Sequence, residues 1–178
     1  MIIEETLRQR LSRIVIADIS TACTGNNEAK TTLFSMINHN DDRVAYNALW
    51  AFTHLRAADL KWLAPRRDIL IDSLLATQHM GKQRLLLTLL ENIPDTADVT
   101  RTDYLDFCLS NINSTAPYAI RALCLKQSFA VCRHFPELLS ELQHEMDMMQ
   151  YGELSPGLLS AWRNVRKKVS RLSQARSK

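Results

Sequence analysis

The chain has 178 residues, 46% of them hydrophobic and 23% charged, with four glycines and five prolines. That is the length of one domain with enough apolar content for a sizeable core, and it excludes a disordered or low-complexity chain. The net charge of +3 is unevenly laid out: up to Ala161 there are 15 Lys+Arg against 19 Asp+Glu, and from Trp162 onward seven basic residues and no acid. A surface that is basic throughout, as in a general nucleic-acid binder, is therefore excluded.

Leucine, alanine and arginine are abundant and alternating Val/Thr runs are absent, so the composition points to an all-α fold. The opening stretch "MIIEETLRQRLSR" is charged throughout and unlike a signal peptide. No apolar run approaches the ~18 residues that a membrane span needs, so no membrane is expected. The cysteines Cys23, Cys108, Cys124 and Cys132 form no C-x-x-C pair and no disulfide framework. They read as reduced, mostly buried thiols of a cytoplasmic protein.

Along the chain, helical periodicity recurs. It begins at "RLSRIVIAD" (10–18) and continues over 30–38, where Leu33, Phe34 and Ile37 share a face. "NALWAFTHL" (47–55) follows, with Val44, Ala45, Ala48, Leu49, Phe52 and Leu55 as its apolar side. Next come 65–76 (Ile69, Leu70, Leu74), "RLLLTLLEN" (84–92; Leu85, Leu86, Leu89, Leu90, Ile93) and 102–111 (Leu105, Cys108, Leu109). The last three are "RALCLKQSF" (121–129), 136–149 (Leu138, Leu142, Met146) and "SAWRNVRKK" (160–168). The final face is Leu158, Ala161, Trp162, Val165, Val169 and Leu172.

Pro65 and Pro136 suit a first helical turn, where the missing N–H costs nothing. Asp41 or Asp42, Ser114 or Thr115, and Ser155 are the expected N-caps.

Five of these helices repeat. The second residues of the quoted stretches are Leu11, Ala48, Leu85, Ala122 and Ala161, spaced by 37, 37, 37 and 39. Lys126 departs from the pattern, since it falls where Phe52, Leu89 and Val165 sit. Helix pairs at such a period cannot bury their apolar faces singly and stack into a continuous core. The stretch "DDRVAYNALWAFTHL", with its turn aspartate, Val44, Ala48 and Leu49, resembles the second helix of a HEAT repeat. The chain as a whole is similar to HEAT and armadillo proteins. From Val44 through the 116–143 segment it is also similar to small HEAT-like proteins of Bacteroides-type bacteria, a likeness that implies a fold and no activity. The resemblance implies a right-handed α-solenoid of about nine helices in four to five repeats. One domain is expected over 1–172, followed by a basic, loose tail over 173–178.

Candidate chemistry is thin. Glu141 and His144 have the E-x-x-H spacing of di-iron bundles, but the second motif and the facing carboxylates are missing. His39 and His79 both fall in turns between paired helices, without an evident third ligand for zinc. No G-x-S-x-G, P-loop or G-x-G-x-x-G occurs. No catalytic residue, cofactor or metal is expected.

A fold analogy offers one enzyme class, since some bacterial alkylpurine DNA glycosylases are HEAT-like solenoids with tryptophan and aspartate in a basic groove. Here Trp62 lies beside Lys61, Arg66 and Arg67, but basic residues are not spread through the repeats.

What is left is a surface. In HEAT arrays the second helices line the concave side, so positions opposite the core stripe should form a curved strip. These are Asn47, Trp50 and His54; Arg84, Leu87 and Glu91; Arg121, Cys124 and Ser128; and Ser160, Arg163 and Lys167. An aromatic, an exposed leucine and arginines are the residue types enriched at binding hot spots. The expected partner is another protein or peptide, held by Asn47, Trp50, His54, Arg84, Leu87, Glu91 and Arg121. The alternative is nucleic acid, held by Arg163, Arg166 and Lys167 on the basic last helix.

Overall fold

Every regular element among the described residues of the computed structural model (2–93, 101–149 and 154–176) is helical. The chain divides into two units, Met1–Pro94 and Asp95–Lys178.

In the first unit α1 (Ile2–Leu7), α2 (Arg13–Cys23) and α3 (Asn27–Phe34) lead to α4 (Asp42–Thr53). A short α5 (Ala57–Leu60) and a 3-10 turn (Lys61–Arg66) precede α6 (Arg67–Ala76) and α7 (Met80–Asn92). The starts are set by side-chain caps. Ser12 Oγ accepts from Val15 N–H (3.4 Å), Asn26 Oδ1 from Ala29 N–H (3.0 Å) and Asp41 Oδ1 from Arg43 N–H (2.9 Å). Helix α4 packs on α1, α2 and α7, and α7 also packs on α5 and α6. Val44, Ala45, Ala48, Leu49 and Phe52 are all at most 1% exposed, and so are Leu86, Leu89 and Leu90 of α7.

The second unit contains α8 (Thr102–Ile112), α9 (Tyr118–Cys132), α10 (Pro136–Met148) and α11 (Pro156–Arg176). Helix α9 packs on the other three, α8 on α10 and α10 on α11. The core joins Leu105, Leu109 and Ile112 to Leu125 and Val131, then to Leu142 and Met146, and finally to Leu158, Ala161, Val165 and Val169. Pro136 opens α10 as expected, and Ser155 Oγ accepts from Leu158 N–H (3.4 Å).

The nine expected helices are present as α2 to α4, α6, α7 and α8 to α11, and α1 and α5 are additional short ones. Several details differ. Leu11 lies before α2, because the Ser12 cap starts that helix at Arg13. Ile69 is 45% exposed and Ile71 buried instead, since α6 begins only after the 3-10 turn that contains Pro65. Pro117 stands at the N-cap of α9 with no side-chain cap bond, while Ser114 Oγ accepts from Ala116 N–H (3.1 Å) within the turn.

In α9 the apolar stripe runs through Ile120, Leu123 and Cys124, and Gln127 is buried next to an exposed Lys126. The repeat register there is displaced by one residue. Helix α11 continues to Arg176 through most of the segment expected as a tail; 177 and 178 lie outside the described residues.

Candidate interaction surface

Helix α4 carries Trp50 half-buried, with His54 exposed one turn later. The ring of Trp50 meets that of His54 edge-on at 6.0 Å between centroids and that of Tyr46 at 6.3 Å. Tyr46 in turn meets His79, the N-cap of α7, at 6.0 Å. The spacing of 46, 50 and 54 places all three on one face of α4, because residues four apart stand one above the other. His54 Nδ1 lies 3.1 Å from the carbonyl of Trp50, which fixes the imidazole along the helix. This row was readable as an i, i+4, i+8 series, whereas a strip drawn at i, i+3 and i+7 missed Tyr46.

Gly81 is what lets α4 and α7 meet here. A Cβ at that position would stand 2.9 Å from Tyr46 Cε2 and 2.9 Å from His79 Cε1. Any side chain at 81 would push the two rings apart.

Arg84 and Glu91 are exposed on α7, in the same unit as Trp50. Asn47 and Leu87 do not belong to the surface. Asn47 is 4% exposed, and its Nδ2 donates to the carbonyls of Leu7 (2.8 Å) and Gln9 (3.1 Å). It thereby satisfies acceptors that the end of α1 leaves without intrahelical partners. Leu87 is fully buried, because α7 is packed by α4, α5 and α6 and buries more than one stripe.

Arg121 lies half-buried in the second unit, where its Nε donates to the carbonyl of Ile112 (2.8 Å) at the end of α8. Cys124 and Ser128, expected on the strip, are fully buried, because α9 is packed by α8, α10 and α11 and buries more than one face.

Trp62 is half-buried too, in an aromatic cluster. It stacks on Phe52 at 6.3 Å and meets Phe34 edge-on at 5.7 Å, while the Arg66 guanidinium lies 3.5 Å over its ring. The arrangement covers apolar surface with a cation and leaves little ring face open.

The two turn histidines line one cavity of about 470 Å³ in the first unit, together with Asp42 and Lys82. His39 Nδ1 accepts from Asp41 N–H (2.9 Å) and His79 Nδ1 from Lys82 N–H (3.2 Å), so each closes its own turn. Lys82 Nζ donates to Asp42 Oδ1 at 2.6 Å and holds that carboxyl below the usual carboxylate range. Among the described residues no group of three or more His, Cys, Asp or Glu could hold a metal ion.

All four cysteines are free and buried. Burial pushes the Cys132 thiol up to about 12, with Glu141 adding to the shift, and raises Cys23 as well. The thiolate is the nucleophile, so the shifts disfavour the reactive form of Cys23 and Cys132.

On α11, Arg163, Arg166 and Lys167 are exposed. Arg166 is engaged within the chain: it pairs with Asp147 at 3.0 Å and lies 4.7 Å over the Trp162 ring. Trp162 is held by its indole N–H, which donates to the carbonyl of Met146 (3.0 Å). No helix among the described residues is long and apolar enough to cross a membrane.

Residues 3–169 match the model of a family described as the HEAT repeat domain. HEAT repeats commonly mediate protein–protein interactions, generally as non-catalytic scaffolds. No curated protein and no solved structure matches the chain. The matched span reaches from α1 into α11 and covers both units of paired helices; the chain belongs to the HEAT repeat domain family.

Proposed function

We propose that this chain is a non-catalytic protein-binding scaffold whose contact surface centres on Trp50. The observation that carries the reading is the aromatic row Tyr46–Trp50–His54 along α4 of the first unit, with Tyr46 and Trp50 half-buried and His54 exposed. A large ring held by its neighbours loses little conformational freedom on binding, which makes it an effective anchor. Arg84 and Glu91 on α7 supply charges of both signs for orientation. The buried thiols, none of them in a disulfide, suit a reducing, cytoplasmic setting.

Affinity capture from the native host, after nuclease treatment, tests the reading. Trp50→Ala is expected to abolish capture of a nuclease-resistant protein partner while the unfolding midpoint stays within a few degrees. Capture unchanged by Trp50→Ala overturns it.

A second reading, nucleic-acid binding through Arg163, Arg166 and Lys167, is favoured by the absence of acids from α11. It is weakened by the engagement of Arg166 with Asp147 and Trp162.

A further inference from the structure

Charge in the second unit is sorted by helix. Helices α8 and α10 carry six Asp or Glu and no Lys or Arg, and α9 and α11 carry eight Lys or Arg and no Asp or Glu. Several cations there are engaged within the unit. Arg121 Nε donates to the Ile112 carbonyl, Arg166 pairs with Asp147, and Lys168 Nζ lies 5.6 Å over the Phe129 ring. The first unit differs. Arg10, Arg43 and Arg84 are exposed, and none has an ion pair or a side-chain hydrogen bond among the described residues.

All three stand around the aromatic row of α4. Arg43 is seven residues before Trp50, two helical turns, and so shares its face. Asn47, between them, donates to the Gln9 carbonyl at 3.1 Å, which lays the segment leading to Arg10 against the same stretch of α4. Asp42, the first residue of α4, and His79, the N-cap of α7, line one cavity, so the two helices start side by side. Tyr46 meets α7 at Gly81, and about one turn further along each helix come Trp50 and Arg84. Met80, beside His79 at the start of α7, is 49% exposed and adds an aliphatic contact.

Most acids on this side are already held. Arg8 pairs with Glu4 (2.6 Å) and Asp41 (3.0 Å), and Lys82 with Asp42 (2.6 Å). Glu5 is the other acid of α1, and Glu91 stands seven residues beyond Arg84 at the far end of α7. Three guanidinium groups are left facing solvent around an aromatic anchor.

We infer that this face binds an acidic peptide segment, whose carboxylates meet Arg10, Arg43 and Arg84 and whose aliphatic side chains lie on Trp50 and Met80. This rests on the Trp50 reading and adds the chemistry of the partner. A carboxylate accepts two parallel N–H bonds from one guanidinium, so arginine supplies orientation as well as charge. Nucleic acid fits this face less well. Successive bases stack on open ring faces, whereas the rings of Tyr46, Trp50, His54 and His79 are tilted by 48–73° to their neighbours.

The probe is a labelled peptide of glutamates with leucine at every third position, beside its lysine-for-glutamate counterpart. Binding to the full chain is followed by fluorescence anisotropy. The glutamate peptide is expected to bind with Kd of about 0.1 mM or tighter, and the lysine peptide not to bind at about 1 mM. Arg10/Arg43/Arg84→Ala, and separately Trp50→Ala, should each weaken binding about tenfold or more, with unfolding midpoints within a few degrees of the wild type.

The inference is overturned if the glutamate peptide fails to bind at about 1 mM, or if either variant binds it like the wild type. It is also overturned if the lysine peptide or single-stranded DNA binds as tightly. Capture from the native host separates this failure from that of the Trp50 reading. Capture lost in Trp50→Ala but kept in the triple arginine variant overturns the acidic partner alone. Capture kept in both overturns the underlying reading as well.

Discussion

Asp59 ties three segments of the first unit together with one carboxylate. Its Oδ1 accepts from the backbone N–H of Gly25 (3.0 Å) and from Lys30 Nζ (2.9 Å), a lysine only 4% exposed. Gly25 sits at φ +67°, a conformation that costs other residues strain, which brings its N–H round to α5. The Gly25 N–H, followed by Lys30, holds the Asp59 carboxyl below its ordinary value.

A carboxyl with a lowered folded pKa binds protons more readily in the unfolded chain. It therefore contributes stability above its unfolded pKa of about 3.9, and that contribution is lost as pH falls through the folded value. The wild-type chain should be more stable than Asp59→Asn at neutral pH, and the gap should close below about pH 4. Unfolding midpoints of both chains across that range check it, and a gap that widens in acid contradicts the assignment. Protonating Asp59 would also leave a buried ammonium without its counter-ion.

At the scale of the helix, most of the fold was legible because apolar spacing reports which face is covered. Leu86 is 1% exposed on α7, where the period places it. Leu86→Ala should cost about 2–5 kcal/mol, as transfer loss plus cavity, measured by denaturant unfolding. What the period could not show was the use of polar residues at helix ends. Asn47 and Arg121 read as surface on a helical wheel, yet each turns to a carbonyl at the end of another helix. Such partners lie 40 and nine residues away, and no local pattern encodes them. Leu87 failed for a related reason: a wheel records one covered face, and α7 is covered on several. The one-residue displacement in α9 was visible only as an unexplained Lys126.

For the molecule as a whole, the net charge of +3 conceals an acidic body joined to a basic final helix. Duplex DNA should therefore bind weakly at low salt and be released near about 0.15 M, since few phosphate contacts can form and each is lost with counterion competition. Labelled DNA titrated at two salt concentrations tests this. Tight binding that survives physiological salt and disappears on Arg163/Arg166/Lys167→Ala would favour the nucleic-acid reading.

The sorting of charge within the second unit has a consequence for motion. Acids confined to α8 and α10 and bases confined to α9 and α11, bridged at Asp147–Arg166, give that unit an electric moment across its helices. In the field of a negatively charged body such a unit experiences a torque, and it turns its α9/α11 layer forward before contact. Fewer encounters are then wasted on the wrong face, so the association rate rises while the dissociation rate is set by the contacts finally made. Added salt should slow arrival and leave departure nearly unchanged.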